Sequence, residues 1–361
     1  MTAIDELVGE GQSIWLDAIS RRLLSSGTLA RYINDLRVTG LTSNPSILSH
    51  AIAGSSDYDA LLAKAALESS DPEELVYELA IWDLSEASDL FMPVYSATGG
   101  RDGYVSIEVP PQFAADSRQT LLWAHRLHAR FANPNVMIKV PGTPAGFEAV
   151  SQLIYEGIPV NVTLLFDADQ YRAAAGAYLE GIERREVEGL ELEVASVASV
   201  FVSRWDGAID TLVPPELCAK AGLAVMQEIY VAYQELLDTA RSRRLEAGGA
   251  RPQRLLWAST STKNPDFPDT YYLGKLAAPG TIDTVPEKTL LAFADHGSVD
   301  PVLGSSVSAA RETIAGIVAH GVDFAEMAVT LQQQGAAAFE ADWRSLTATV
   351  GGKVQKLGQS S

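Results

Sequence analysis

A single lysine, Lys139, stands inside the apolar run Val136-Met137-Ile138-Lys139-Val140, with Asn133-Pro134-Asn135 before it and Pro141-Gly142 after it. A run that short, with chain-breaking residues on both sides, predicts a buried strand. An ammonium group loses its hydration in such a place, so it must be paired or shed its proton. A neutral amine attacks carbonyls. With a ketone it gives an iminium, an electron sink that permits cleavage of the adjacent carbon–carbon bond. Forming and breaking that iminium moves protons, which requires a carboxyl group within reach, directly or through one water.

Other polar residues stand in, or just past, other apolar runs: Asp17, Asn44, Glu108, Asn161, Thr163, Ser199, Arg204 and Lys263. The two acids allow a division of labour between dehydration at the imine carbon and proton transfer at the hydroxyl of the cleaved bond. Asn44, Asn161 and Ser199 offer hydrogen bonds to substrate hydroxyls, and Arg204 with Lys263 offers a clamp for a phosphate. Each has a plainer reading on its own. Asp17 fits a structural ion pair, Asn44 before Pro45 a turn, Glu108 a satisfied core acid and Thr163 an ordinary strand residue. What favours a site is the repetition of the same placement along the chain.

The elements that must carry these residues are legible as apolar runs. Eight strand candidates are Ser13 to Ile19, Val38 to Pro45 with a polar end, Tyr104 to Val109, the lysine strand, Pro159 to Phe166, Val194 to Val202, Leu255 to Ser261 and Thr281 to Val285. Helical patterns lie between most of them: Arg21 to Asp35, Tyr58 to Leu67, Asp71 to Tyr95, Gln112 to Phe131 and Pro214 to Glu246. After the lysine strand, Thr143 is the expected N-cap, Pro144 suits the first helical position and Gly157 ends the helix; Asp167 is the expected cap of the next one. This alternation predicts an α/β fold with a parallel sheet, closed as a (β/α)8 TIM barrel with additional N- and C-terminal helices. Strand ends converge on one mouth of such a barrel, which is how residues so far apart in sequence would meet. One domain is expected: a barrel over about 13–300, extra helices over about 301–350, the last from Phe324 to about Leu346, and a polar tail over 352–361. No Gly-x-Gly-x-x-Gly follows a strand, so a dinucleotide fold has no support.

Composition narrows the function classes. The 361 residues carry a net charge of −19, which disfavours binding to a nucleic-acid backbone and means that an anionic substrate needs locally gathered basic residues. The lone cysteine, Cys218, allows neither a disulfide framework nor a cysteine metal site. Of the five histidines only His125 and His128 lie close together, on a helix between strands, which argues against a metal-dependent aldolase. No run is apolar enough to span a bilayer, and the N-terminus lacks a basic segment followed by an apolar one; a cytoplasmic chain without membrane contact is expected.

Thr42-Ser43-Asn44-Pro45-Ser46, Ile138-Lys139-Val140-Pro141-Gly142-Thr143, Asn161-Val162-Thr163-Leu164-Leu165-Phe166 and Ser199-Val200-Phe201-Val202-Ser203-Arg204 resemble, in this order, the signature segments of transaldolases. The longer bacterial members are the most similar. The resemblance implies a class I, Schiff-base (β/α)8 enzyme without cofactor, monomeric or homodimeric, acting on sugar phosphates. It would move a dihydroxyacetone unit from sedoheptulose 7-phosphate to glyceraldehyde 3-phosphate in the pentose phosphate pathway. It further implies that Lys139 is the Schiff-base lysine, that Glu108 works with a water held by Thr163, and that Asp17 is the acid/base of carbon–carbon cleavage. Asn44, Asn161 and Ser199 would orient the bound unit and Arg204 would meet the phosphate. Where many members have an arginine as second phosphate ligand, this chain has Ala258-Ser259-Thr260-Ser261-Thr262-Lys263, and Lys263 supplies a point charge rather than a fork. Two alternatives remain: a simple fructose 6-phosphate aldolase and a non-catalytic sugar-phosphate-binding barrel. The related aldolases carry a tyrosine near the position of Phe201 and no acid at that of Glu108, which favours the transferase.

Overall fold

The computed structural model describes residues 2–53, 55–304 and 307–359, with side chains described as far as 356. Eight short strands form its centre: β1 (Ser13–Leu16), β2 (Val38–Leu41), β3 (Val105–Glu108), β4 (Val136–Pro141), β5 (Val160–Leu165), β6 (Ser196–Phe201), β7 (Arg254–Ala258) and β8 (Ile282–Val285). They pair in sequence order, all parallel, and β8 closes onto β1. Parallel strands wrapped by helices are buried on both faces, and β3 to β8 show no exposed position at all. This is the expected (β/α)8 barrel. Thr143 and Asp167 cap their helices as expected, each accepting a backbone N–H three residues on.

The two ends of the barrel are closed in different ways. At the strand starts, the Arg254 guanidinium lies 3.2 Å from Asp102 and donates to Ser13 Oγ at 2.7 Å, while Ser13 Oγ and Trp15 Nε1 both donate to the Asp102 carboxylate. A buried ion pair with every partner satisfied ties β1, β7 and the approach to β3 together. At the strand ends, by contrast, polar side chains surround a cavity.

Several helix boundaries differ from the sequence expectation. Arg21 to Asp35 is two helices, Arg21–Ser25 and Thr28–Asp35, because Gly27 adopts a left-handed φ of 71° that no helix continues through. Pro214 to Glu246 divides into a short turn, Pro215–Leu217, and the helices Ala221–Leu237 and Ala240–Ala247, the last started by Thr239 as N-cap. The helix before β4 begins at Ser117, not Gln112, since Asp116 caps it. A helix at Pro45–Ala53 follows β2 directly.

The largest correction concerns the C-terminus. The final helix runs Phe324–Gln359, so 352–359 continue it and are not a polar tail. The sequence expectation ends this helix near Leu346 and begins the tail at Gly352. In the fold, Gly351 is where the helix approaches Pro72, and an added Cβ would meet its Cγ at 3.2 Å. Leu346, Val350 and Val354 keep the apolar stripe going at helical spacing.

Candidate active site

Strand register sets the floor of the cavity. Glu108, Lys139 and Asn161 are register partners across β3, β4 and β5, so their side chains stand in one row. The Lys139 amine lies 3.2 Å from Glu108 Oε2 and donates to the Ser43 backbone carbonyl at 3.2 Å. Both residues of this pair are buried, Lys139 to 4% and Glu108 to 6% exposure. Burial pushes the Glu108 carboxyl above its ordinary range and Asp17 adds to the rise, whereas the Lys139 charge pulls it down. A carboxyl held high beside an amine can take up and return the amine's proton. Glu108 Oε1 has no hydrogen-bond partner among the described residues.

Asp17 lies one residue past β1, where its backbone N–H donates to the Val285 carbonyl at 2.8 Å. Its carboxylate accepts from Thr42 Oγ1 at 2.6 Å, and the Thr42 and Thr284 hydroxyls are 2.6 Å apart. Thr42 has one proton and gives it to Asp17, so Thr284 donates to Thr42. Burial pushes the Asp17 carboxyl up, against the pull of the Lys139 charge and the Thr42 hydrogen bond. Neither threonine was singled out from sequence, although Thr42 stands in the Thr42-Ser43-Asn44-Pro45 segment.

The amide residues are held by their neighbours. Ser199 Oγ donates to Asn161 Oδ1 at 2.7 Å and Asn161 Nδ2 donates to Ser106 Oγ at 3.2 Å, which fixes the amide and leaves its second N–H free. Asn44 is also a helix cap: its Oδ1 accepts the Ile47 N–H at 2.9 Å at the start of Pro45–Ala53. The turn-former reading of Asn44 and its place in the cavity wall therefore both hold. Thr163 Oγ1 is buried without a hydrogen-bond partner among the described residues. The next residue, Leu164, has a left-handed φ of 60° at a register break in β5. Such a bulge re-aims a strand, and strain of this kind persists only where the surroundings enforce it.

Asp17, Asn44, Lys139, Thr163, Ser199, Phe201, Arg204 and Lys263 line one cavity of about 400 Å³, with Thr42, His50, Thr284 and Phe339 among the remaining walls. Glu108 and Asn161 lie at its base through their contacts with Lys139 and Ser199. Arg204 follows β6 on the helix Ser203–Ile209, its guanidinium 5.5 Å from the Phe201 ring. Burial draws its proton affinity down and Asp342 opposes that; no hydrogen bond or ion pair holds the guanidinium among the described residues. Lys263, in the loop after β7, is exposed at the rim. All ten sequence candidates thus come together. The sequence reading missed the contribution of the final helix. Gln332 Nε2 donates to the Gly142 and Leu164 carbonyls at 2.8 and 2.9 Å, Ser46 donates to Asp342, and Phe339 stands over Lys139. The signal was a polar and aromatic stripe at i, i+7 and i+10, Gln332, Phe339 and Asp342, which reads equally well as ordinary amphipathic patterning.

The chain is a parallel eight-stranded (β/α)8 barrel with a buried lysine, two acids and two basic residues at its strand ends, where barrels of this class carry their active sites. The profile of the transaldolase/fructose-6-phosphate aldolase family matches residues 14–350. A protein of Arthrobacter sp. (strain FB24) named transaldolase is 42% identical over 100% of both chains. Transaldolase 1 of Streptomyces coelicolor is 43% identical over 96% of this chain and 94% of its own, and the transaldolase of Frankia alni is 41% identical over 99% and 98%. The chain belongs to the transaldolase/fructose-6-phosphate aldolase family.

Proposed function

We propose that the protein is a transaldolase, transferring a dihydroxyacetone unit reversibly from sedoheptulose 7-phosphate to glyceraldehyde 3-phosphate, with erythrose 4-phosphate and fructose 6-phosphate as products. The observation that carries this reading is the buried Lys139–Glu108 pair on the register row that also holds Asn161, with Asp17 facing the same cavity. Lys139 attacks the ketone carbon, and Glu108, through a water held by Thr163, moves the protons that expel hydroxide and form the iminium. Asp17 takes the proton from the hydroxyl next to the bond that breaks, and later returns it to the oxygen of the acceptor aldehyde. Asn44, Asn161 and Ser199 hold the hydroxyls of the three-carbon unit. Arg204, with no internal acid bonded to it, meets the phosphate and Lys263 adds a point charge at the rim.

One chain carries the whole residue set, so a monomer suffices and a homodimer would hold two independent sites. No helix among the described residues is long and apolar enough to cross a membrane. With soluble sugar phosphates as substrates, the expected setting is the cytoplasmic pentose phosphate pathway.

The test is acceptor dependence. Given fructose 6-phosphate and erythrose 4-phosphate, the purified protein should form sedoheptulose 7-phosphate and glyceraldehyde 3-phosphate; given fructose 6-phosphate alone, it should release dihydroxyacetone far more slowly. Equal rates with and without acceptor would make it a simple aldolase. Binding of the sugar phosphate with no turnover at all would make it a binding barrel.

A further inference from the structure

The final helix lays Gln332, Gly335, Phe339 and Asp342 along the mouth of the barrel on one face, at helical spacing. Gln332 pins it to the ends of β4 and β5, and Gly335 lets it come close: a Cβ there would lie 2.9 Å from Leu164 Cδ2. Phe339 is the residue this docking delivers to the chemistry. Its ring lies 5.7 Å from the Lys139 amine and 6.5 Å from the Phe201 ring, which is itself 5.4 Å from Phe166. It is 4% exposed although it stands at the open end of the barrel. Phe339 therefore covers the amine on the helix side with Phe201 beside it, while Arg204 and Lys263 stand on the polar part of the same cavity wall.

We propose that Phe339 is a specificity-determining residue that decides whether the three-carbon unit is transferred or lost. The inference rests on Lys139 being the Schiff-base lysine. After cleavage the unit remains on Lys139 as an enamine. In transfer, the enamine carbon forms a bond to the acceptor aldehyde carbon, the aldehyde oxygen takes a proton, and water then frees the new ketose. In loss, the same carbon takes a proton from water. A water oxygen then adds to the iminium carbon, the carbon–nitrogen bond breaks, and the nitrogen regains its proton as dihydroxyacetone leaves. The two routes differ in whether a proton or the acceptor reaches the enamine carbon first. An apolar ring over the amine keeps water, the proton source, off that side of the enamine, as water exclusion does for reactive intermediates generally. The water needed at the end of transfer works with Glu108 on β3, whose carboxyl lies 3.2 Å from the amine, nearer than the ring at 5.7 Å.

The test is the series Phe339→Leu, Phe339→Val and Phe339→Ala, with dihydroxyacetone release from fructose 6-phosphate measured without acceptor and transfer measured with erythrose 4-phosphate. Borohydride trapping on Lys139 confirms that each variant keeps its site. The release-to-transfer ratio should climb as the side chain shrinks, by on the order of tenfold at Phe339→Ala, with Phe339→Leu near the unsubstituted value. Should Phe339→Ala fail to fold, the rise from Leu to Val carries the test. A ratio that stays constant along the series, whether both rates fall together or neither moves, would overturn the inference and leave Phe339 a packing residue. An unsubstituted protein that transfers normally and traps substrate limits that failure to Phe339. One that traps nothing would overturn the proposed function and this inference together.

Discussion

At the scale of single residues, the cavity gathers groups whose ordinary protonation is costly in their buried places. Glu108 and Asp17 are both raised by burial, and both are drawn back by the Lys139 charge. Glu108→Gln keeps the shape but removes the carboxyl proton site beside the amine. Turnover should fall by about 10²–10⁴, the usual worth of general acid–base help, with the loss visible in single-turnover iminium formation; near-normal rates would remove Glu108 from the mechanism. Lys139 was legible because a charge in an apolar strand contradicts the cost of desolvation. The buried pair of Arg254 and Asp102 is just as costly but was not singled out. Arg254 opens its strand and Asp102 lies in a polar turn, so neither interrupts an apolar pattern.

At the scale of elements, all eight strands were legible, since each is a short apolar run between breakers. The helix ends were less so, because a helix break at Gly27 depends on a backbone angle and a glycine at 351 serves a close approach, two uses that look alike in sequence. The bulge at Leu164 had no sequence signal either: a leucine in a left-handed conformation is forced by its surroundings. The docking of the final helix accounts for part of that forcing. Gly335→Val should therefore overpack the contact with Leu164 and Arg204, lowering stability by about 1–3 kcal/mol and reducing turnover as the cavity wall shifts. Gly176, on the helix Ala168–Glu188, has nothing within 4 Å of an added Cβ. Gly176→Ala should raise stability by about 0.5–1 kcal/mol and leave activity unchanged. Denaturant midpoints and steady-state rates for the two variants check the contrast, and similar effects in both would show that the helix contact is not special.

At the scale of the whole molecule, a chain of net charge −19 places Arg204 and Lys263 on the cavity wall and hides acids in the fold. Asp283 on β8 is fully buried, accepts from Thr260 Oγ1 at 2.7 Å and is pushed up to about 8 by burial. It is therefore neutral in the folded chain at pH 7 and ionised in the unfolded chain. The unfolded chain holds fewer protons at this position between the ordinary carboxylate value and about 8, so the contribution of Asp283 to stability falls as pH rises through that window. Asp283→Asn has no proton to lose. It should be more stable than the parent by a few kcal/mol above pH 8, with the gap closing toward pH 4. Urea unfolding at several pH values tests this, and parallel curves for parent and variant would contradict it. Sequence alone placed Asp283 in a strand but could not say which face it occupied, and the face decides whether an acid is chemistry or ballast.

The central claim is that the Lys139 amine forms a covalent iminium with the ketose. Incubation with fructose 6-phosphate and borohydride, followed by digestion and mass spectrometry, tests it directly. A reduced three-carbon adduct on the peptide carrying Lys139, absent when Lys139→Met is treated in the same way, is the predicted result. An unmodified Lys139, or an adduct on another lysine, would contradict the account.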